Sequence, residues 1–344
     1  MRHSPLTRPG PGHRRPGKDP GKDPGKDAGP DPALPLVAVA HGSSDPRAAA
    51  SVDTLLSLVR ARAAAAGYPG LDVRAAYLGH AAPTLAQALG AVDGAAVVLP
   101  LLLTPAYHSK TDIPKVLHEV RRARPRLGIS YGRPLGPHPL LRRALERRLA
   151  EAADGEPPSA STAAQSASTT AQSASPAAQS ASPPAQSAST TAQSASPAAQ
   201  SASPPAQSAG PAAQSAGTTV IVLAAAGSSD PAANAVITDQ GERWQAERGW
   251  RAVLPAYASA ASPTPAEAVA AARRSGARRV LVASYLLCPG VFADQIRSDC
   301  LAAGADAVSP VLGAAPEIAD IVLGRYAESL TSGAVPLTDG AAAV

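Results

Sequence analysis

Short apolar runs alternate along this chain with longer Ala-rich stretches. The run Leu34-Pro35-Leu36-Val37-Ala38-Val39-Ala40 ends in His41-Gly42-Ser43-Ser44-Asp45-Pro46-Arg47. A run that short, stopped by Gly, Ser and Pro, predicts a buried parallel strand opening into a loop. Ala48 to Ala66 then predicts a helix, with Val52, Leu55, Leu56 and Val59 at helical spacing. The pattern continues with strands over Leu71 to Tyr77, Ala95 to Leu102 and Leu127 to Tyr131. Between them, Pro83 is expected to open one helix at its first turn. Another helix begins near Ile113 after a loop from Leu103 to Asp112, and a last one covers Pro139 to Ala152. Strict alternation of strand and helix implies a parallel sheet with helices on both faces.

The pattern then repeats. Leu223-Ala224-Ala225-Ala226-Gly227-Ser228-Ser229-Asp230-Pro231 restates the first phrase with Ala226 in place of His41. Pro83-Thr84-Leu85-Ala86 is echoed by Pro263-Thr264-Pro265-Ala266, and Leu102-Leu103-Thr104-Pro105 by Leu286-Leu287-Cys288-Pro289. Leu135-Gly136 and Pro139 are echoed by Leu312-Gly313 and Pro316. Echoes in one order indicate duplication of a whole lobe. The second copy is expected to have strands over Val220 to Ala225, Trp250 to Pro255 and Arg279 to Tyr285, a short one from Val308, and a final helix from Pro316 to Leu330. The expected fold is α/β: two tandem flavodoxin-like lobes, each a four-stranded parallel sheet in the order 2-1-3-4 flanked by helices.

Composition sets the boundaries. Residues 1–33 are Pro, Gly, Lys and Asp and read as a disordered tail; residues 34–152 form lobe one. Residues 153–217 repeat Ala-Gln-Ser-Ala with Pro between copies and no apolar heptad positions, which reads as a flexible linker rather than a coiled coil. Residues 218–330 form lobe two, and 331–344 a second disordered tail. Aromatic residues are only 3% of the 344, so the cores are built from Ala, Val and Leu. Cys288 and Cys300 lack CxxC spacing, which argues for a reducing compartment and against a zinc framework. No signal-peptide core or membrane-length apolar run occurs, so the chain is read as cytoplasmic with no membrane partner. The net charge of +5 is mostly the tail's, and neither aromatic platforms nor a binding motif accompany it, so no nucleic-acid partner is expected.

The chemistry concentrates in lobe one, because all seven histidines precede the linker. His41 follows the first strand and His108 the third. In a 2-1-3-4 sheet these strands are neighbours, and their carboxyl ends are where open α/β sheets bind ligands. Two facing imidazoles suit Fe, Co, Ni or Zn and titrate near neutral pH. Lobe two has Ala226 and Phe292 at the matching positions, so it lost both. Asp45 and Asp112 read as helix caps. Ser43, in the loop beside His41, is a candidate for binding substrate, as are Arg47 and Lys110, which could take its carboxylates. The arginines at 121, 122, 124 and 126, and at 142, 143, 147 and 148, read as solvated helix faces. Cys288 reads as a small core residue, and His118 and His138 as surface or loop residues.

His41-Gly42-Ser43-Ser44-Asp45-Pro46-Arg47, Pro83-Thr84-Leu85, and Leu101 through His108 with Asp112-Ile113-Pro114 together resemble the sirohydrochlorin chelatases, the class II chelatases, in their long two-lobed form. The resemblance covers both lobes but neither tails nor linker. It implies ATP-independent insertion of Fe²⁺ or Co²⁺ into sirohydrochlorin, a tetrapyrrole with many carboxylates. His41 and His108 match the family's metal-handling histidines. Many members carry a carboxylate where this chain has Gly79, and the adjacent His80 is a possible replacement ligand. The chain is expected to be a monomer, since two fused lobes supply both walls of one cleft. Ferrous iron is the first choice of metal, with cobalt for cobalamin as the alternative. Among rival classes, a histidine phosphatase would need Arg before the histidine, where Ala40 stands. A flavin carrier, or a non-enzymatic metal- or tetrapyrrole-binding protein, remains as the alternative of another kind.

Overall fold

The computed structural model describes residues 33–105, 108–153 and 216–331, with the backbone alone at His108 and Ala216. The expected tails and linker fall, but for edge residues, outside them. Lobe one runs β1 (Leu36–Ala40), α1 (Pro46–Ala63), β2 (Val73–Tyr77), α2 (Leu85–Gly90), β3 (Ala95–Pro100), α3 (Ile113–Ala123), β4 (Gly128–Tyr131) and α4 (Pro139–Ala153). Lobe two runs β5 (Thr219–Ala225), α5 (Pro231–Arg248), β6 (Ala252–Tyr257), α6 (Pro265–Arg274), β7 (Arg279–Tyr285), α7 (Val291–Ala302), β8 (Ala307–Val308) and α8 (Pro316–Thr331). Each lobe holds a four-stranded sheet, ordered β2-β1-β3-β4 and β6-β5-β7-β8. The expected order is thus observed, and all pairings are parallel.

Local differences have local causes. Pro83 does not open α2; it follows a cis bond, and Thr84 caps the helix in a capping box with Gln87. Thr264 and Glu267 do the same for α6. The expected loop before α3 is partly helical: His108–Asp112 forms a π-turn running into it. Asp112 is therefore already in helical conformation and makes no side-chain cap, whereas Asp45 does cap α1, accepting the Arg47 N–H at 2.9 Å.

The sequence order of the lobes conceals an exchange. α4 follows lobe one's sheet in the chain but packs on β7 and β8 of lobe two. α8 follows lobe two's sheet but packs on β3 and β4 of lobe one, and against α1 and α4. α8 is apolar on most sides because it is enclosed. Ile318, Ile321, Val322 and Leu323 are all buried, and at about 1.5–3 kcal/mol each they rival much of the ~5–15 kcal/mol net stability of a domain.

Three of the few aromatic residues sit at this junction. The Tyr326 hydroxyl donates to the Leu34 carbonyl at 2.7 Å, and its ring meets Tyr68 edge-on at 4.9 Å. Buried Trp244 donates from Nε1 to Glu146 of α4 at 2.9 Å. The arginines of α4 are not all solvated, contrary to expectation. Arg142 pairs with Glu247 at 2.6 Å, Arg147 with Glu317 at 3.0 Å, and Arg148 donates to the Leu312 carbonyl at 2.9 Å. Exchange turned what looked like an outer helix face into an interface.

The loop after β1 is held by a close backbone crossing. At Gly42 (φ +90) an added Cβ would lie 1.7 Å from the Gly79 carbonyl oxygen, and at Gly227 (φ +85) 1.9 Å from that of Ser259. Gly67 has the same φ of +90 but nothing within 4 Å.

Two outcomes follow. A fragment Met1–Ala153 co-expressed with a fragment Ala216–Val344 should co-purify as a complex, since each carries the helix that covers the other's sheet; either fragment alone should aggregate. Two separately soluble, folded fragments would contradict the exchange. In thermal melts, Gly42→Ala should cost clearly more than Gly67→Ala, because strain of ~1–3 kcal/mol from the left-handed backbone is joined by collision only at Gly42; equal losses would place the crossing elsewhere.

Candidate functional site

The carboxyl ends of the two sheets face one cleft of about 810 Å³. Lobe one contributes Ala40 to Ser43 after β1 and Leu101 to Thr104 after β3; lobe two contributes Ala225 to Ser229 and Tyr285 to Ala293. The β1 and β3 ends lie together because β1 and β3 pair directly, with Val39 opposite Pro100. His41 is the residue after β1, is exposed, and lines the cleft. His108 starts the π-turn beyond β3, so the topology puts both histidines on the neighbouring strands' carboxyl edge. That turn is anchored: Tyr131, at the end of β4, donates its hydroxyl to the Ser109 carbonyl at 2.7 Å. Burial keeps that phenol protonated well above its ordinary range.

The cleft is bound across the lobes. The Tyr285 hydroxyl of β7 donates to the Leu103 carbonyl at 3.1 Å. Burial also raises the Tyr285 pKa, so its hydroxyl keeps the proton that it donates. Cys288 lines the cleft rather than a core; burial pushes its thiol up to about 11, a rise that a bond with Ser51 opposes. At that pKa it is a neutral thiol near pH 7. The lips differ. Lobe two offers Val291 and Phe292, 75% and 43% exposed, with Phe292 at the position of His108 and Ala226 at that of His41.

The remaining candidates are placed as follows. Ser43 lines the cleft, and its hydroxyl oxygen accepts the Asp45 N–H at 3.1 Å; Ser228 does the same for Asp230 at 3.0 Å. Arg47 is held by Asp45, whose carboxyl it keeps below the usual range, and reaches Asp294 of α7. Lys110 lies 3.9 Å from Asp230. Gly79 donates its N–H to the His41 carbonyl at 3.2 Å, so the usual carboxylate position sits beside His41 but bears no side chain. His80, in the left-handed region at φ 59, is exposed and does not line the cleft. His118 is exposed on α3. His138 lies in the loop before α4, as expected, and its Nδ1 accepts the Leu140 N–H at 3.1 Å. Burial, and then Arg325, lowers its pKa and favours that neutral form. Among the described residues, no group of three or more His, Cys, Asp or Glu side chains is placed to hold a metal ion. Sequence reasoning missed Tyr285 and Asp294, which no motif marks; only alignment of the two lobes would have pointed to Asp294, at the position of Lys110.

Similarity to known proteins agrees with this arrangement. The family described as CbiX matches residues 35–152 and 220–329. A sirohydrochlorin cobaltochelatase of Priestia megaterium is 40% identical over 22% of this chain and 24% of its own. The chain thus spans about a quarter of that relative. A sirohydrochlorin ferrochelatase of the same organism is 22% identical over 69% of this chain and 68% of its own. Among solved structures, SirB from Bacillus subtilis with Fe³⁺ covers 86% of this chain and 95% of its own, at 19% identity and a TM-score of 0.58; that likeness concerns the fold. With both lobes matched, over about two thirds of its length, the chain belongs to the CbiX family.

Proposed function

We propose that this protein inserts a divalent metal ion into sirohydrochlorin without ATP. The observation that carries this reading is one cleft shared by two lobes, with His41 on one wall and an apolar lip, Val291 and Phe292, on the other. A flat macrocycle suits a slot that is apolar on one side and basic on the other. The relatives' names support the substrate, and the longer match, over 69% of this chain, is to a ferrochelatase, in keeping with Fe²⁺ as the first choice and Co²⁺ as the alternative. The metal is a substrate here.

Insertion must remove two N–H protons from the macrocycle and exchange the metal's waters for four ring nitrogens. His41 and His108 receive the ion at the cleft edge; as the ring nitrogens take the ion over, one freed neutral imidazole accepts a pyrrole proton, a step that positioned bases accelerate, and the second proton leaves to water. His80, which does not line the cleft, is given no part in this step. Lobe two binds but does not react, since Ala226 and Phe292 neither ligate nor accept protons. The protein acts as a monomer in the cytoplasm; among the described residues no helix is long and apolar enough to cross a membrane.

The test is the initial rate of anaerobic metal insertion, followed by absorption with the uncatalysed rate subtracted. His41→Ala and His108→Ala should each remove most of the rate while sirohydrochlorin still binds. The double variant should be little worse than the worse single one, because residues that act as a unit are non-additive. His118→Ala should keep the rate. Wild-type rates in both single variants would overturn the assignment. In sedimentation the protein should be a monomer that titrates with a single sirohydrochlorin site; an obligate dimer or two equal sites would contradict the shared cleft.

A further inference from the structure

Two ion pairs join the lobes beside the cleft, and they occupy equivalent places. Aligning His41 with Ala226 matches Asp45 to Asp230 and Arg47 to Ala232; aligning His108 with Phe292 matches Lys110 to Asp294. Asp45 and Asp230 each cap the first helix of their lobe. On one side, Lys110 of lobe one reaches across to Asp230 of lobe two, 3.9 Å away. On the other, the same geometry would set Asp294 against Asp45, two carboxylates that repel. Arg47 resolves this. Its guanidinium bonds Asp45 at 2.6 Å and Asp294 at 2.5 and 3.3 Å. Lobe two has no need of such a cation and carries Ala232 there.

Neither bridge is buried. Arg47 and Asp294 are 53% and 58% exposed, and Lys110 is 57% exposed. Residues adjoining each bridge, Ser43 and Ala48, Ser229 and Ala233, and Ala293, line the cleft. Asp45 serves its own helix and is within two residues of Arg47. Asp294 comes from the opposite lobe and holds Arg47 through a planar, two-toothed contact, the geometry any carboxylate would use.

We infer that Asp294 is a stand-in for a substrate carboxylate: it pairs with Arg47 beside the cleft and is displaced when a polycarboxylate macrocycle enters, with Asp230 playing the same part at Lys110. This rests on the tetrapyrrole reading above and adds the specificity element to it. Exposed ion pairs are weak and screened by salt, so a ligand with many carboxylates exchanges with them readily. Displacing each bridge costs a carboxylate ligand some affinity, and a polycarboxylate offsets that cost by taking up Arg47 and Lys110 together from one tethered ligand, which a monocarboxylate cannot do.

The experiment is titration of the metal-free protein with sirohydrochlorin, followed by absorption, in the full chain. Asp294→Asn removes the competing charge at an exposed position and should tighten binding by about 2- to 5-fold, the range expected for exposed ion pairs. Arg47→Gln should weaken it. The decisive comparison is the double variant: in an Arg47→Gln background, Asp294→Asn should have no effect on affinity. A purely structural bridge gives the opposite sign, with Asp294→Asn no better than or weaker than wild type, and that result overturns the inference. If Asp294→Asn fails to tighten binding while wild type still inserts metal, the stand-in role falls and the chelatase reading survives. If wild type neither binds sirohydrochlorin nor inserts metal into it, both fall together.

Discussion

A four-stranded parallel sheet needs cover on both faces, and in this chain neither lobe covers its own. α4 and α8 are exchanged, so each sheet's second face is closed by the other lobe's last helix. Everything at the cleft depends on that burial. It brings β7 against the strand ends of lobe one closely enough for Tyr285 to donate to the Leu103 carbonyl. It also sets α7 opposite the start of α1, so that Asp294 meets Arg47. The scarce aromatic residues are placed accordingly: Tyr68, Tyr326 and Trp244 pack at the junction, where large side chains bury the most area for one backbone position.

The two lobes have kept what the backbone requires and dropped what it does not. Both retain the left-handed glycine, Gly42 or Gly227, whose Cα lies against the next loop's carbonyl. Both retain the serine that accepts from the capping Asp N–H, and the Asp that caps the first helix. Removing any of these costs folding energy in either lobe. The imidazole after β1 is not required by this turn, since its place in lobe two is held by Ala226. The cleft therefore has one wall that bears the His41 imidazole and one that presents Ala226, Val291 and Phe292. Such asymmetry suits a flat substrate that must be held on one face while a metal ion approaches the other.

Duplication also explains the charge pattern. Equivalent positions across a pseudo-twofold axis face the same kind of neighbour. A cation at Lys110 pairs directly with a helix-capping carboxylate, whereas an anion at Asp294 needs an intervening Arg47. These bridges are exposed and weak beside the packing of α8. They act on what enters the cleft more than on whether the lobes stay together.

The alternation of strand and helix, the duplicated phrases and the position of His41 were legible in the sequence, because period, turn residues and Gly punctuation are local properties of the chain; the strand order came only with the flavodoxin-like fold that the alternation suggested. Helix starts were less so: Pro83 looked like a first turn, but the cap is Thr84, one residue on. The loop before α3 hid a π-turn because nothing in His108-Ser109-Lys110-Thr111-Asp112 distinguishes it from irregular chain. The exchange of α4 and α8 was not legible at all. An amphipathic helix specifies that it must bury a face, not whose sheet will receive it, and the α4 arginines looked like a solvated surface until Glu247, Glu317 and the Leu312 carbonyl were brought to them from the other lobe. The same holds for the site: local sequence determined that imidazole stands at a strand end, while only tertiary packing decided that Tyr285, Phe292 and Asp294 would face it, since residues so distant in the chain meet only when the buried area of the fold outweighs the entropy of bringing them together.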